Sequence, residues 1–291
     1  GANTYEGATT ISGGTLAIYG DANLGTAPST ATSGHLVIEN GATLLLTKDS
    51  SVSNSFITLD ADRGMLLNTV SGGTIEVAHN VEATYGGIID GAGSLTKSGV
   101  GQLNFEGQSN TYAGGTTVTA GKLTGGEASM SATLFGSGDL TIDSGATVQI
   151  DRAQLSNDLV LNGGTLQATN GFGEIWNGDV TIAADSTIDS EYSLSINGDI
   201  SGPGKLILSN SMRDQGELRI GGAATHAGGT ALVAGVLQIG TGGTTGSLTG
   251  DIVTSNRSEV WFSRSDNVTY AGSISGAGDV TKLGTNVLTL T

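Results

Sequence analysis

The chain has 291 residues, 49 of them glycine, two proline and none cysteine, and its formal net charge is −16. Glycine this frequent excludes long helices, and the missing cysteine excludes disulfides, cysteine-ligated zinc and thiolate catalysis. The acidic balance excludes general binding to nucleic acid or anionic lipid, because phosphate groups are repelled.

Short segments with the pattern glycine, any residue, apolar, any residue, apolar predict strands with one buried and one solvent-facing side. In chain order they are Gly14–Ile18, Gly34–Ile38, Gly73–Val77, Gly138–Ile142, Gly164–Ala168, Gly216–Ile220 and Gly235–Ile239. Antiparallel hairpins and stacked parallel coils both fit this alternation. Hairpins usually turn through Asn-Gly or Asp-Gly pairs, whereas these turns are looser and unevenly spaced. We therefore favour a parallel β-helix.

Longer phrases also recur. Asn3–Leu16 returns 107 residues later as Asn110–Leu123, and a third copy, Ala224–Leu237, has His226 in the tyrosine place. Tyr85–Lys97 returns as Tyr270–Lys282. Self-similarity of this kind is typical of repeat architectures, and no linker interrupts it, so we expect one continuous domain over residues 1–291.

Four stretches break the rhythm and are predicted loops, which on a β-helix often carry the binding role. They are Asp21–Ser33, Gly125–Ser137, Asn210–Gln215 and Gly240–Gly246.

No catalytic cluster is predicted. The histidines His35, His79 and His226 have no nucleophile sequence beside them, and the pattern places His35 on the wet face of its strand. Ser94–Lys97 and Ser265–Asn267 match motifs of penicillin-binding enzymes. The first lies in a strand phrase where the enzyme needs a helix, so we interpret both as chance.

The best carboxylate pair is Asp60 and Asp62, which suits polysaccharide cleavage on a strand but also suits a solvated turn in which Arg63 neutralises them. We favour the turn. A calcium loop starting there would need glutamate where Ser71 stands. We therefore predict no catalytic, cofactor-binding or metal-binding residue and no cofactor.

The aromatic residues of the repeats are predicted to be structural. Tyr5, Tyr112, Tyr85 and Tyr270 recur at matching places. Trp261 and Phe262 point to opposite sides of a strand, so one of them is exposed, near Arg264, where it suits contact with sugar or protein. We favour a packing role there and at Trp176.

The recurring phrases resemble the passenger-associated repeat of bacterial autotransporters. The resemblance is carried by Tyr270–Thr291 joined to Gly1–Leu16, by Leu159–Gly171 and by Gly246–Val253. It implies a right-handed parallel β-helix exported through a C-terminal outer-membrane β-barrel that we expect outside this segment. Such passengers are commonly surface adhesins, aggregation factors or biofilm components, and a minority carry protease or lipase domains.

The expected function is therefore that of a rigid adhesive stalk, part of a longer passenger at the bacterial surface or secreted. Its expected partners are host or bacterial surface proteins or glycans, or copies of itself, with no nucleic acid and no insertion of this segment into the membrane. Two alternatives remain: the scaffold of a secreted enzyme whose catalytic part lies elsewhere, and a repeat module that mainly drives folding-coupled export.

Overall fold

The computed structural model describes residues 1–106, 109–126, 133–169, 173–210 and 216–291. They form two units, Gly1–Val148 and Gln149–Thr291. Both units are parallel β-solenoids, which confirms the predicted all-β fold class. Within the described ranges the single helix is a 3-10 turn at Asp21–Leu24, and none is long and apolar enough to cross a membrane.

The first unit contains short strands that each lie on the strand one coil earlier. They are β1 Thr9–Ile11, β2 Thr15–Ile18, β3 Thr32–Ile38, β4 Thr43–Leu46, β5 Ser55–Leu59, β6 Arg63–Leu67, β7 Gly73–Val77, β8 Val81–Tyr85, β9 Ile89–Gly91, β10 Leu95–Ser98, β11 Gln102–Phe105, β12 Thr116–Val118, β13 Gly121–Gly126 and β14 Leu140–Asp143. They pair in parallel in the orders β1-β3-β6-β9, β2-β4-β7-β10-β12-β14 and β5-β8-β11-β13. The unit boundary falls inside β15, Ala146–Asp151.

The second unit repeats this construction. Its strands are β16 Gln154–Leu155, β17 Leu159–Asn162, β18 Thr165–Ala168, β19 Glu174–Trp176, β20 Val180–Ala184, β21 Ser186–Ser190, β22 Ser193–Ile196, β23 Ile200–Ser201, β24 Leu206–Ser209, β25 Glu217–Ile220, β26 Ala223–Ala224, β27 Thr230–Leu232, β28 Gly235–Ile239, β29 Ser247–Leu248, β30 Ile252–Thr254, β31 Ser258–Ser263, β32 Val268–Tyr270, β33 Ile274–Gly276, β34 Asp279–Leu283 and β35 Leu288–Leu290. They pair in parallel in the orders β17-β20-β23-β26-β29, β18-β21-β24-β27-β30-β33, β16-β19-β22-β25-β28-β31-β34 and β32-β35.

The cores of the units are columns of apolar side chains, one residue per coil. In the second unit one column runs through the buried residues Leu194, Leu218, Leu237 and Val260, which are partners in register. Leu218 and Leu237 are apolar positions of two predicted strands, and Val260 is the register partner of Leu237. Because neighbouring strands lie about 4.8 Å apart, each side chain packs on its equivalent in the next coil.

The outer face of the first unit carries a column of one residue type. Threonine stands at equivalent positions in six successive coils, and each threonine is partly or fully exposed. The column is Thr15, Thr43, Thr74, Thr96, Thr117 and Thr141. Threonine pairs on adjacent strands stabilise a sheet, and the β-branched side chain suits the extended backbone.

One inward position of the first unit is occupied by a lysine. Lys97 pairs in register with Ile75 on one side and Val118 on the other, and its side chain is fully buried. Its Nζ donates hydrogen bonds to the carbonyl oxygens of Gly99 (2.6 Å), Gly101 (2.7 Å) and Ala120 (3.0 Å). Burial lowers the pKa of Lys97 to about 8, although Glu76 acts in the opposite direction. The ammonium group thus satisfies carbonyl groups at a coil corner.

Lys282 holds the matching place in the second unit but is exposed. Its Nζ donates to the carbonyl of Gly284 (2.9 Å) and to Oδ1 of Asn286 (2.9 Å). The two lysines therefore cap equivalent turns at different depths.

We expect Lys97→Met to lower the free energy of unfolding of the first unit by about 2–4 kcal/mol, because one buried and two partly buried carbonyls lose their donor. Urea unfolding followed by circular dichroism, with hydrogen exchange of peptides covering residues 95–124, measures this. The matched control is Lys282→Met, whose acceptors are reached by water, so its effect is expected to be much smaller. Equal losses in the two variants would contradict the capping role.

Candidate functional site

The repeated phrase contains a hydrogen bond from the ring at its third position to a threonine four residues later. The pairs are Tyr5 Oη with Thr9 Oγ1 (2.6 Å), Tyr112 Oη with Thr116 Oγ1 (2.5 Å) and His226 Nε2 with Thr230 Oγ1 (3.1 Å). Histidine therefore takes over the contact that tyrosine makes in the other copies. Tyr112 and His226 are buried, whereas Tyr5 is exposed.

A glycine of the next coil makes room for the ring. A Cβ atom on Gly136, which has φ 77°, would lie 2.7 Å from the ring of Tyr112. A side chain at Gly136 would therefore displace the ring of Tyr112.

The buried imidazole predicts acid sensitivity. Burial lowers the pKa of His226 below its ordinary value of 6.5, so the unfolded chain binds this proton more readily than the folded chain. The stability of the second unit should therefore fall as the pH drops below about 6.5. We expect His226→Tyr to remove this component and to restore the tyrosine-threonine bond.

The measurement is the urea midpoint at pH 7.5 and pH 5.0, followed by the fluorescence of Trp176 and Trp261, both of which lie in the second unit. His79→Tyr is the control for a general effect of losing a histidine, because His79 is exposed and lies in the first unit. An identical pH response in wild type and His226→Tyr would refute the assignment.

Two further tyrosines close coils through the backbone. Tyr85 donates to the carbonyl of Arg63 (2.7 Å) and Tyr270 to that of Gly250 (2.5 Å), and both rings are buried. Trp176 is fully buried and its Nε1 donates to the carbonyl of Asn157 (2.8 Å). The predicted packing roles of these rings are confirmed.

The predicted partner of Arg63 was wrong. The guanidinium does not neutralise Asp60 or Asp62; Nε and Nη2 donate to Oδ1 (2.8 Å) and Oδ2 (3.0 Å) of Asp21. Further donations reach the carbonyls of Leu24 (2.9 Å) and Gly25 (2.5 Å). The Arg63 side chain is 1% exposed, and that of Asp21 is 24% exposed. This pair fastens the start of the predicted Asp21–Ser33 loop to the first unit.

Asp60 and Asp62 form the turn that we favoured. Oδ1 of Asp60 accepts the backbone N–H of Asp62 (2.9 Å), and the backbone N–H of Asp60 donates to Oδ1 of Asp21 (3.0 Å). The two carboxylates therefore shape a turn before β6 and do not share the face of a strand.

We expect Asp21→Asn to lower the free energy of unfolding of the first unit by about 2–3 kcal/mol, since the buried guanidinium loses its counter-charge. Asp62→Asn, which removes a carboxylate that does not pair with Arg63, serves as the control and should change little. Urea unfolding and limited proteolysis between residues 20 and 33 report the result. Resistance of that stretch to protease in Asp21→Asn would show that the ion pair does not fasten the loop.

His35 was also misplaced by the strand pattern. It is buried, with Nδ1 3.4 Å from Nη1 of Arg63 and Nε2 3.3 Å from the carbonyl oxygen of Glu6. The Gly34–Ile38 pattern placed it on the wet face; the chain before β2 and the turn that follows it cover that side instead.

The residues of the penicillin-binding motifs are engaged locally. Lys97 binds the carbonyls described above, Asp266 pairs with Arg264 (2.8 Å), and Oδ1 of Asn267 accepts the backbone N–H of Val287 (2.9 Å). Among the residues that the structure describes, no group of three or more histidine, aspartate or glutamate side chains is placed to hold a metal ion.

The predicted Gly240–Gly246 loop borders a cleft of about 710 Å³ in the second unit. Arg264 ties the loop down through Nη1 to the carbonyl of Gly246 (2.5 Å) and Nη2 to that of Thr244 (2.5 Å). The opposite wall includes Asn197 and Asp199. The lining is polar, and the guanidinium is already bonded to the loop and to Asp266, so it offers little unused charge.

Residues 127–132 and 211–215 of two other predicted loops lie outside the described residues.

Asp199, which lines this cleft, belongs to a row of aspartates that link successive coils. Oδ1 of Asp158 accepts the backbone N–H of Asp179 (2.9 Å), Oδ1 of Asp179 that of Asp199 (2.8 Å), and Oδ1 of Asp199 that of Ala223 (2.7 Å). Each carboxylate thus holds the next coil, which gives these residues a structural role.

A second groove, of about 290 Å³, lies in the first unit beside Phe56, whose side chain is 80% exposed. Sequence reasoning missed this ring. The signal was present, because Ile57 and Leu59 are buried and alternation puts Phe56 outside. In the Trp261–Phe262 pair neither ring is fully exposed: Trp261 faces outward but is half-buried, and Phe262 is buried against Tyr270 with ring centroids 5.5 Å apart.

The passenger-associated-transport-repeat family matches residues 1–18, 95–124 and 213–239, which contain the three copies of the tyrosine or histidine phrase. A curated relative, the adhesin BmaC autotransporter of Brucella suis biovar 1 (strain 1330), is 31% identical over 200 residues, or 69% of this chain. The chain spans about 5% of that relative's length. No solved structure matches it.

Proposed function

This chain is a segment of an autotransporter passenger with passenger-associated transport repeats, and from that premise we propose that it is an adhesive, non-enzymatic segment. Passengers of this family lie at the bacterial cell surface or are secreted. The proposed partners are proteins or glycans of host or bacterial surfaces, or further copies of the segment, so that cell adhesion, self-aggregation and biofilm formation are the activities to test.

The observation that carries the proposal is the 31% identity with an autotransporter adhesin over 200 residues. The construction of the units supports it. Stacked coils hold polar side chains at fixed intervals on the outer face, as in the threonine column of the first unit. Repeated weak contacts on a stiff support multiply into useful avidity without a deep pocket.

The proposed absence of catalysis is supported by how the candidate groups are used. The carboxylates of Asp60 and Asp199 hold backbone N–H groups, and the ammonium of Lys97 holds carbonyls. Each of these groups therefore has an identified role in holding the backbone.

We expect fluorescent beads coated with the segment to bind epithelial cells, bacterial cells or beads of a second colour carrying the same segment at several times the level of the control. Beads carrying the heat-unfolded segment are that control, because charge and composition are then identical. Flow cytometry counts cell-bound beads and two-colour aggregates. Binding equal to the control on every surface would contradict the adhesive function.

The export alternative predicts a different result. Deleting one coil, such as residues 180–199, which run from Val180 in β20 to the residue before its register partner Ile200 in β23, would then lower surface delivery while leaving adhesion per delivered molecule unchanged. Surface labelling with an antibody and bead binding normalised to that label separate the two roles.

A further inference from the structure

We propose that the groove beside Phe56 in the first unit is a binding site for neutral saccharide units. The proposal deepens the adhesive function above and rests on it. It is carried by a solvent-exposed aromatic ring in register with an oriented carboxylate and carboxamide.

The ring is placed outside by the strand. In β5 the side chains of Ile57 and Leu59 are buried, whereas the side chain of Phe56 faces solvent with 80% of its surface exposed. Phe105, Phe135 and Phe262 are all buried. Phe56 therefore departs from the use of phenylalanine elsewhere in the described chain, and its exposed face is available for a ligand.

Polar groups stand at fixed distances from this ring. Phe56 pairs in register with Glu82, and Glu82 with Gln102 on the following strand, so the three form one outer column about 4.8 Å apart per step. Asn104 donates to Oε1 of Glu82 (2.9 Å) and accepts from Nε2 of Gln102 (2.7 Å). These bonds orient both groups and leave Oε2 of Glu82 and Oε1 of Gln102 as acceptors.

The rest of the groove is built from turns. Asn54, Asn80 and Val100 line it, and Asn80 has the left-handed φ of 60° that projects a short polar side chain from a turn. Val100 is 62% exposed and adds an apolar wall. A volume of about 290 Å³ lies at the small end of the range for ligand pockets, which is room for about one or two sugar rings.

A pyranose matches this lining. One face of the sugar carries C–H groups, which are attracted to the negative face of an aromatic ring, while its edge carries hydroxyl groups. Those hydroxyls can donate to the carboxylate of Glu82 and exchange hydrogen bonds with the amides of Gln102, Asn54 and Asn80. The net charge of −16 selects against sialylated, sulfated or uronic sugars, so the ligand is neutral.

The test measures the wild-type segment and three variants on an array of neutral, sialylated and sulfated oligosaccharides. Phe56→Leu keeps apolar bulk but loses the ring, and neutral-glycan binding should fall about tenfold. Phe56→Trp keeps a ring and should retain binding. Glu82→Gln keeps an acceptor for Asn104 but loses the charge, and binding should fall about fivefold.

Val70→Ala is the matched control, because Val70 is 85% exposed in the same unit and does not line the groove. It should bind neutral glycans as wild type does. Circular dichroism confirms that each variant is folded; these side chains are on the outer face, so a loss of binding with an unchanged spectrum is local.

Equal neutral-glycan binding by Phe56→Leu and wild type would overturn the proposal. A second result would also overturn it: wild type binds no glycan on the array, yet Phe56→Leu abolishes bead adhesion to cells. The groove would then bind a protein and not a saccharide. If wild-type beads adhere to cells but the segment binds no neutral saccharide on the array, the saccharide proposal is wrong and the adhesive function is still supported. If the beads adhere to nothing, the adhesive function fails with it.

Discussion

Parallel hydrogen bonding between successive coils is the interaction on which the rest of each unit depends. Each strand inside a sheet finds its backbone partners in the coil before and the coil after it, so a residue is stacked on the residue that occupies the same place one turn away. Chemistry at a given position is therefore repeated along a unit. The columns of leucine inside, of threonine outside and of aspartate at the coil edges are all consequences of that one constraint.

The fold was predictable because strand alternation and the recurring phrases are local signals. In Gly34–Ile38 and Gly138–Ile142 the alternation of residue types identifies the apolar residues that are buried. Similar sequence phrases also form strands that pair in register. The partners of Arg63 and His35 were not predictable. Arg63 reaches Asp21 42 residues away, and that distance is set by the uneven lengths of the first coils, which no periodic pattern encodes. The burial of Lys97 at an apolar position was not predictable either. Its acceptors are backbone carbonyls at a coil corner, which no periodic pattern encodes.

One surface feature was predicted from the sequence and another was missed. The Gly240–Gly246 loop does border a cleft, because glycines that interrupt a strand rhythm mark an irregular corner. The exposure of Phe56 was not predicted because Phe56 belongs to no repeated phrase. Alternation within β5 alone contained the answer. A ring that breaks the repeat is thus more informative about recognition than rings that maintain it.

Coil length varies, whereas the outer threonine column stays in register. Successive threonines of the outer column are separated by 28 residues between Thr15 and Thr43 but by 21 between Thr96 and Thr117, yet each pair is in step. Insertions and deletions are thus absorbed at the corners, where the backbone leaves the sheet and re-enters it. A corner of such a chain can therefore lengthen or shorten without moving the strands on either side of it, so tolerance to changes in length is concentrated at the corners.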